Sequence, residues 1–213
     1  PRPSASGLSN GALSLQELEG NGVKYLVDYN GNNKGFYKLT PEEDWEPFRY
    51  FEGGLPNRNF NDANAKFIDL NGDGLPDLMI SEDSAFLWYE SKGEKGFKEA
   101  YKVNKPFDEE FGPAILFNDS TQSIQLADMS GDGLTDIVRI RNGEVCYWPN
   151  MGYGKFGSKI TIAYAPIFDH PDTYNPKYIR LADIDGSGTS DIVYLSNGKA
   201  SVWLNNCGNA FNQ

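Results

Sequence analysis

The chain has one histidine, two cysteines and no apolar run approaching the roughly 20 residues that span a bilayer. Each scarcity removes a class of function. A Ser-His-Asp or Cys-His site would have to use His170, which stands in the loop sequence Asp169-His170-Pro171-Asp172. That setting reads as an exposed turn, so no enzyme is expected. Cys146 lies in an apolar strand-like run and Cys207 in a turn, at different offsets in their repeats, so two free thiols are the default. No segment is expected to enter a membrane. Basic residues are also few, 19 against 30 acidic ones, giving a formal net charge of −11. That balance excludes a sequence-independent nucleic-acid binder, which needs Lys and Arg to displace counterions from phosphates. It equally excludes a polybasic membrane-surface patch. The start of the sequence, residues 1–12, reads as a small polar tail without a signal peptide. With no initial Met it is expected to belong to a fragment or a processed piece.

What is abundant points to strands. Aromatics make up 14% of the 213 residues, with 23 Gly and 12 Pro, a composition of strands and tight turns. Three nine-residue stretches superpose without gaps, Asp69–Asp77, Asp128–Asp136 and Asp183–Asp191, and a degenerate copy, Glu17–Tyr25, precedes them. Their first positions, 17, 69, 128 and 183, give a period in the fifties. After each loop come an apolar strand, a polar turn and a second strand bearing Phe36, Trp88, Trp148 or Trp203. A glycine turn then follows (Gly93, Gly152, Gly208), and after it Phe97, Phe156 or Phe211, with Phe48 as the expected first-copy counterpart. Antiparallel hairpins in units of this size are the pattern of four-stranded propeller blades. The fold is therefore expected to be all-β, with repeats over residues 13–213, at about 13–64, 65–123, 124–178 and 179–213. The recurring aromatics are expected to fill the core between blades.

The loops also have the chemistry of a Ca²⁺ site. The ion takes six to eight oxygens from carboxylates, carbonyls and water. Oxygens at loop positions 1, 3, 5, 7 (a backbone carbonyl) and 9, with Gly at 6, can supply them. The second copy fits throughout with Asp69, Asn71, Asp73, the Leu75 carbonyl and Asp77. The third offers Asp128, Ser130, Asp132, the Leu134 carbonyl and Asp136. The fourth offers Asp183, Asp185, Ser187, the Thr189 carbonyl and Asp191. One hydroxyl in each of these last two predicts weaker binding than in the second. Tyr25 replaces the closing acid of the first copy, which is expected to take no ion. The competing reading is a plain tight turn whose carboxylates accept backbone N–H bonds.

The loops resemble the FG-GAP/VCBS repeats of integrin-α-like propellers. Residues 122–136, 141–150 and 180–189 resemble more specifically the propeller region of the toxin-complex B component, the SpvB/TcdB-type insecticidal toxin family. In that family the B component joins a C component in a shell around a cytotoxic cargo. Its propeller docks on the pore-forming A component and gates translocation. The resemblance implies a secreted or extracellular, non-enzymatic docking module, with A and C components as partners. It also implies more than four blades, so four repeats are part of a larger propeller or a smaller one built of the same units.

The competing function is a lectin-like module of a secreted or surface protein, binding carbohydrate or another ligand. Two long connections, 106–121 and 166–177, break the repeat, and their sequences differ. A sugar site would recur in each blade, so the expectation is a protein-docking face with Phe107, Phe111 and Phe168 as anchors.

Overall fold

The computed structural model describes Pro3 and residues 13–212; the expected tail at 1–12 lies, apart from Pro3, outside the described residues. Every regular element longer than three residues is a strand. Sixteen strands form four antiparallel four-stranded sheets, each winding through its strands in sequence order. The first sheet contains β1 (Ser14–Glu17), β2 (Lys24–Asp28), β3 (Gly35–Lys38) and β4 (Arg49–Tyr50). The second contains β5 (Ala65–Ile68), β6 (Asp77–Ser81), β7 (Ala85–Tyr89) and β8 (Tyr101–Asn104). The third contains β9 (Ile124–Ala127), β10 (Asp136–Arg141), β11 (Glu144–Trp148) and β12 (Ile160–Thr161). The fourth contains β13 (Ile179–Ala182), β14 (Asp191–Ser196), β15 (Lys199–Asn206) and β16 (Ala210–Asn212). These are blades of the propeller type, one per repeat.

The chain divides into two compact units. The first runs to Glu82 and takes in Phe86–Val103; the second takes Asp83–Ala85 and runs from Asn104 on. Each unit buries apolar surface between its own two sheets by one rule. In the first unit, Tyr25, Val27, Tyr29 and Phe36 of the first sheet meet Leu78, Ile80, Leu87 and Tyr89 of the second. In the second unit, Val138, Ile140, Val145 and Tyr147 of the third sheet meet Ile192, Tyr194 and Trp203 of the fourth. On the strand that carries the closing loop residue, counted from it, the even positions of the leading sheet face the odd positions of the following one, and on the next strand of each sheet the parity is reversed. Period-2 patterning makes this possible, because alternate side chains leave a strand on opposite faces.

That rule corrects two sequence assignments. Phe36 and Trp88 stand opposite Val27 and Met79, the second residue after the closing position, whereas Trp148 and Trp203 stand opposite Ile137 and Ile192, the first. A slip of one residue reverses the face. Trp203 and Phe36 therefore lie in the inter-sheet cores, while Tyr89, not Trp88, is the true counterpart of Trp203. Trp88 instead packs against Tyr101, their rings 5.1 Å apart. The second correction concerns Phe48. Isolated bridges pair Ser91 with Phe97 and Asn150 with Phe156, and the first-copy bridge of the same spacing joins Leu39 to Trp45. Trp45 is thus the counterpart, and Phe48 packs edge-on against Tyr37 at 5.1 Å. Both cysteines are free thiols, Cys146 buried and Cys207 exposed.

Candidate metal loops and docking loop

Each aspartate loop closes on its own amides. The first-position carboxylate accepts from the glycines at positions 4 and 6. Asp69 binds the N–H groups of Gly72 and Gly74 at 2.7 and 2.8 Å, and Asp128 those of Gly131 and Gly133 at 2.7 and 2.8 Å. Asp183 binds those of Gly186 and Gly188 at 2.8 and 3.0 Å. All six glycines have φ between 75° and 89°, the left-handed region in which only glycine is at ease.

The closing aspartates do different work. Asp77, Asp136 and Asp191 are completely buried. One oxygen of each accepts the N–H of loop position 2 (Leu70, Met129, Ile184) at 3.2, 2.9 and 2.8 Å. The other accepts from Ser91, Asn150 or Asn205 at 2.7, 2.8 and 2.8 Å. Those three donor residues are themselves buried, and their side chains accept the N–H of Gly93, Gly152 and Gly208. Sequence reasoning missed this trio. The signal was present, a small polar residue fourteen positions after each closing Asp. Burial pushes the Asp77 and Asp136 carboxyls up to about 6, against hydrogen bonds that pull the other way. A cation beside such a group would draw it back down.

The donor set fits a cation best in the fourth loop. Asp183, Asp185 and Asp191 each bring an oxygen within 4.8 Å of the others, and among the described residues no other acidic trio does so. The spacing put the second loop first, whereas the acids are gathered most closely in the fourth. The reason lies at position 5. There Asp73 and Asp132 each turn an oxygen to the position-7 amide, Leu75 or Leu134, at 2.9 Å, while Asn71 donates to Asp73 at 3.2 Å. In the fourth loop the third acid is at position 3, and Ser187 at position 5 leaves room beside it. The buried Thr189 hydroxyl donates to the Asn205 carbonyl at 3.0 Å and touches Ser187 Oγ at 2.9 Å. Within the second unit the loops are also tied to each other. Ser190 N–H donates to the Asp128 carbonyl at 2.7 Å, and Asn205 Nδ2 to the Met129 carbonyl at 2.9 Å.

The connection 106–121 is held against the third sheet at a few points. Arg139 grips Glu109 with two N–H groups, at 2.7 and 3.1 Å, and Trp148 Nε1 donates to the Glu109 carbonyl at 2.7 Å. Lys159 pairs with Glu110 through both its side chain and its backbone N–H. Phe107 and Phe111 flank this anchor, the first fully and the second largely exposed. Glu109 and Glu110 both have cationic partners within the chain, and the two rings are exposed beside them. Phe168, expected as a third anchor, differs from both. It is half-buried and packs between Tyr174 and Tyr194, at 5.8 and 5.3 Å, and edge-on to Trp203 at 5.2 Å, against the core of the second unit. His170 is exposed, its Nδ1 3.4 Å from an Asp172 oxygen.

Residues 69–139, which contain the second and third loops, match the family model of the FG-GAP-like repeat. Over that stretch the repeat is FG-GAP-like. The whole chain superposes with a TM-score of 0.78 and 25% identity on 9% of a chain in the Photorhabdus luminescens Tc holotoxin pore. Over 94% of its length it also superposes, with a TM-score of 0.59 and 22% identity, on 51% of an Agrocybe aegerita lectin described as recognising non-reducing terminal N-acetylglucosamine. That second likeness is one of fold. No curated protein matches the chain. FG-GAP-like repeats therefore account for the fold, and the resemblance to the toxin-complex B propeller is upheld by the repeat family and the holotoxin match. The chain spans only a small part of that toxin chain.

Proposed function

We propose that this chain is a non-enzymatic, calcium-stabilised propeller module of a secreted toxin-complex B-type protein. It docks a protein partner, the pore-forming A component, and contributes to gating of the translocated toxin. The observation that carries the docking reading is the pair Phe107 and Phe111, exposed on a segment whose backbone is fixed between them. Solvent-facing aromatic rings on a preorganised segment suit hot-spot contacts, since little ordering entropy remains to be lost on binding. The likeness to the Tc holotoxin over the full chain supports the choice of partner.

Calcium is proposed at Asp183, Asp185 and Asp191 first, with the second and third loops as further sites after reorientation of Asp73 and Asp132. The ion would supply charge neutralisation and a fixed loop shape. Three ions would take the net charge of −11 to −5, an ordinary surface value.

The docking test is a surface-binding measurement against a purified toxin-complex A component, comparing the wild type with the Phe107→Ser, Phe111→Ser double variant. The expected result is affinity weaker by about tenfold or more with an unchanged melting midpoint. Equal affinities would remove these rings from the docking face. Failure of the wild type to bind, with a hit on a glycan array, would favour the lectin-like reading instead.

A further inference from the structure

The first loop departs from the other three in where its positive charge comes from. Its acids are Glu17 at position 1 and Glu19 at position 3, and Tyr25 stands where the others have a buried aspartate. Glu17 accepts the Gly22 N–H, as Asp69 accepts that of Gly74, so the loop shares the position-6 closure of the others. Tyr25 faces Lys38 directly in the β2–β3 ladder. The Lys38 ammonium reaches back to the loop and binds both Glu19 oxygens, at 2.7 and 2.8 Å, while lying 5.6 Å from the centre of the Tyr25 ring. Glu17 also has a cation nearby, with Lys24 Nζ at 3.8 Å.

No other loop has this arrangement. Carrying the ladders one step beyond their printed pairs puts Glu90, Pro149 and Leu204 opposite Asp77, Asp136 and Asp191. A lysine is present only where the closing carboxylate is missing. The two changes compensate: loss of the acid removes a ligand and one negative charge, and the ammonium balances one of the two that remain. Hydrogen bonding from Lys38 is the largest influence holding the Glu19 carboxyl down at about 2, with Tyr25 next.

We infer that the first loop carries its cation covalently, as the Lys38 ammonium, and keeps its shape without a metal ion. Lys38 does there what calcium is proposed to do in the other loops, and it cannot be chelated. The comparison with the other loops rests on the calcium reading; the role of Lys38 does not.

The test is thermal melting of the whole chain in chelator and in Ca²⁺, for the wild type, Lys38→Gln and Lys38→Arg. In chelator, Lys38→Gln is expected to melt about 2–4 °C below the wild type, and Lys38→Arg to recover most of that loss because it keeps the charge. Added Ca²⁺ should raise Lys38→Gln by more than it raises the wild type, since Glu19 then lacks its counter-charge and only the more distant Lys24 remains beside Glu17. Equal midpoints for the wild type and Lys38→Gln in chelator would overturn the inference. So would equal losses in the Gln and Arg variants, which would mean that packing matters and not charge. If the wild type melts alike in Ca²⁺ and chelator, the calcium reading of the other loops fails, yet the chelator comparison still decides the role of Lys38.

Discussion

The backbone N–H of Asn205 donates to the buried carboxylate of Asp191 at 2.8 Å, joining the end of the fourth aspartate loop to the far end of the next strand. The same bond recurs from Asn150 to Asp136 and from Ser91 to Asp77. A loop that binds metal would thus be fixed to its hairpin by a residue that is structural in its own right.

That dual role separates two substitutions. Asp191→Ala should lower the melting midpoint even in chelator, because the buried Asn205 N–H loses its acceptor, at about 1–3 kcal/mol, and the part-buried Ile184 N–H loses its own. Asp185→Asn should leave the chelator midpoint within experimental error, since Asp185 is exposed, and reduce only Ca²⁺ binding. Calorimetric titration of Ca²⁺ into both variants checks this; an unchanged stoichiometry in Asp185→Asn would remove the fourth loop as a site.

Calcium should stabilise the wild-type chain. With free Ca²⁺ a hundredfold above Kd, binding to the native state alone adds about 2.7 kcal/mol per site, or about 5–10 °C for a chain of this size. Melting in Ca²⁺ against excess chelator measures the difference.

Phe168 and Phe107 should behave in opposite ways. Phe168→Ala removes a ring packed among Tyr174, Tyr194 and Trp203, and should cost about 3–5 kcal/mol in denaturant unfolding. Phe107→Ala should stay within about 0.5 kcal/mol of the wild type, because its ring touches solvent alone.

The anchoring of the 106–121 connection should weaken in acid. Arg139 beside Glu109 holds that carboxyl below its ordinary value of 4.5, so the folded form favours the ionised group. The stabilisation is present in full above the unfolded value and is lost as pH falls through the lower folded one. Glu109→Gln should therefore melt below the wild type at pH 7, and the gap should narrow as pH drops below about 4. A gap independent of pH would show that geometry and not charge secures the segment.

Much of this was legible in the sequence because the relevant chemistry is local. A nine-residue loop with aspartates and left-handed glycines specifies its own turn, and Asp128–Asp136 could be matched to Asp183–Asp191 by eye. Facing relationships were harder. Trp88 and Trp148 look equivalent along the chain, but a single residue of offset puts them on opposite faces, and only the strand register reveals it. Phe168 sits in a polar loop sequence beside Asp169 and His170, and nothing local shows that the loop folds back onto Tyr194. Which loop gathers its acids depended on side-chain directions at position 5. Those are set by the competing amides of Leu75 and Leu134, not by the spacing of the aspartates. Lys38 was invisible for a related reason: it lies thirteen residues beyond Tyr25, and only the ladder makes them neighbours.

The outermost strands β4 and β12 are two residues long, and all four of their residues are exposed. An outer strand ordinarily offers a row of unpaired amides on which another chain can polymerise. Arg49–Tyr50 and Ile160–Thr161 are too short to template such growth. A protein with rings as exposed as Phe107 and Phe111 would otherwise risk clumping through its sheet margins at high local concentration. Here one margin of the first sheet and one of the third are too short to recruit a further strand.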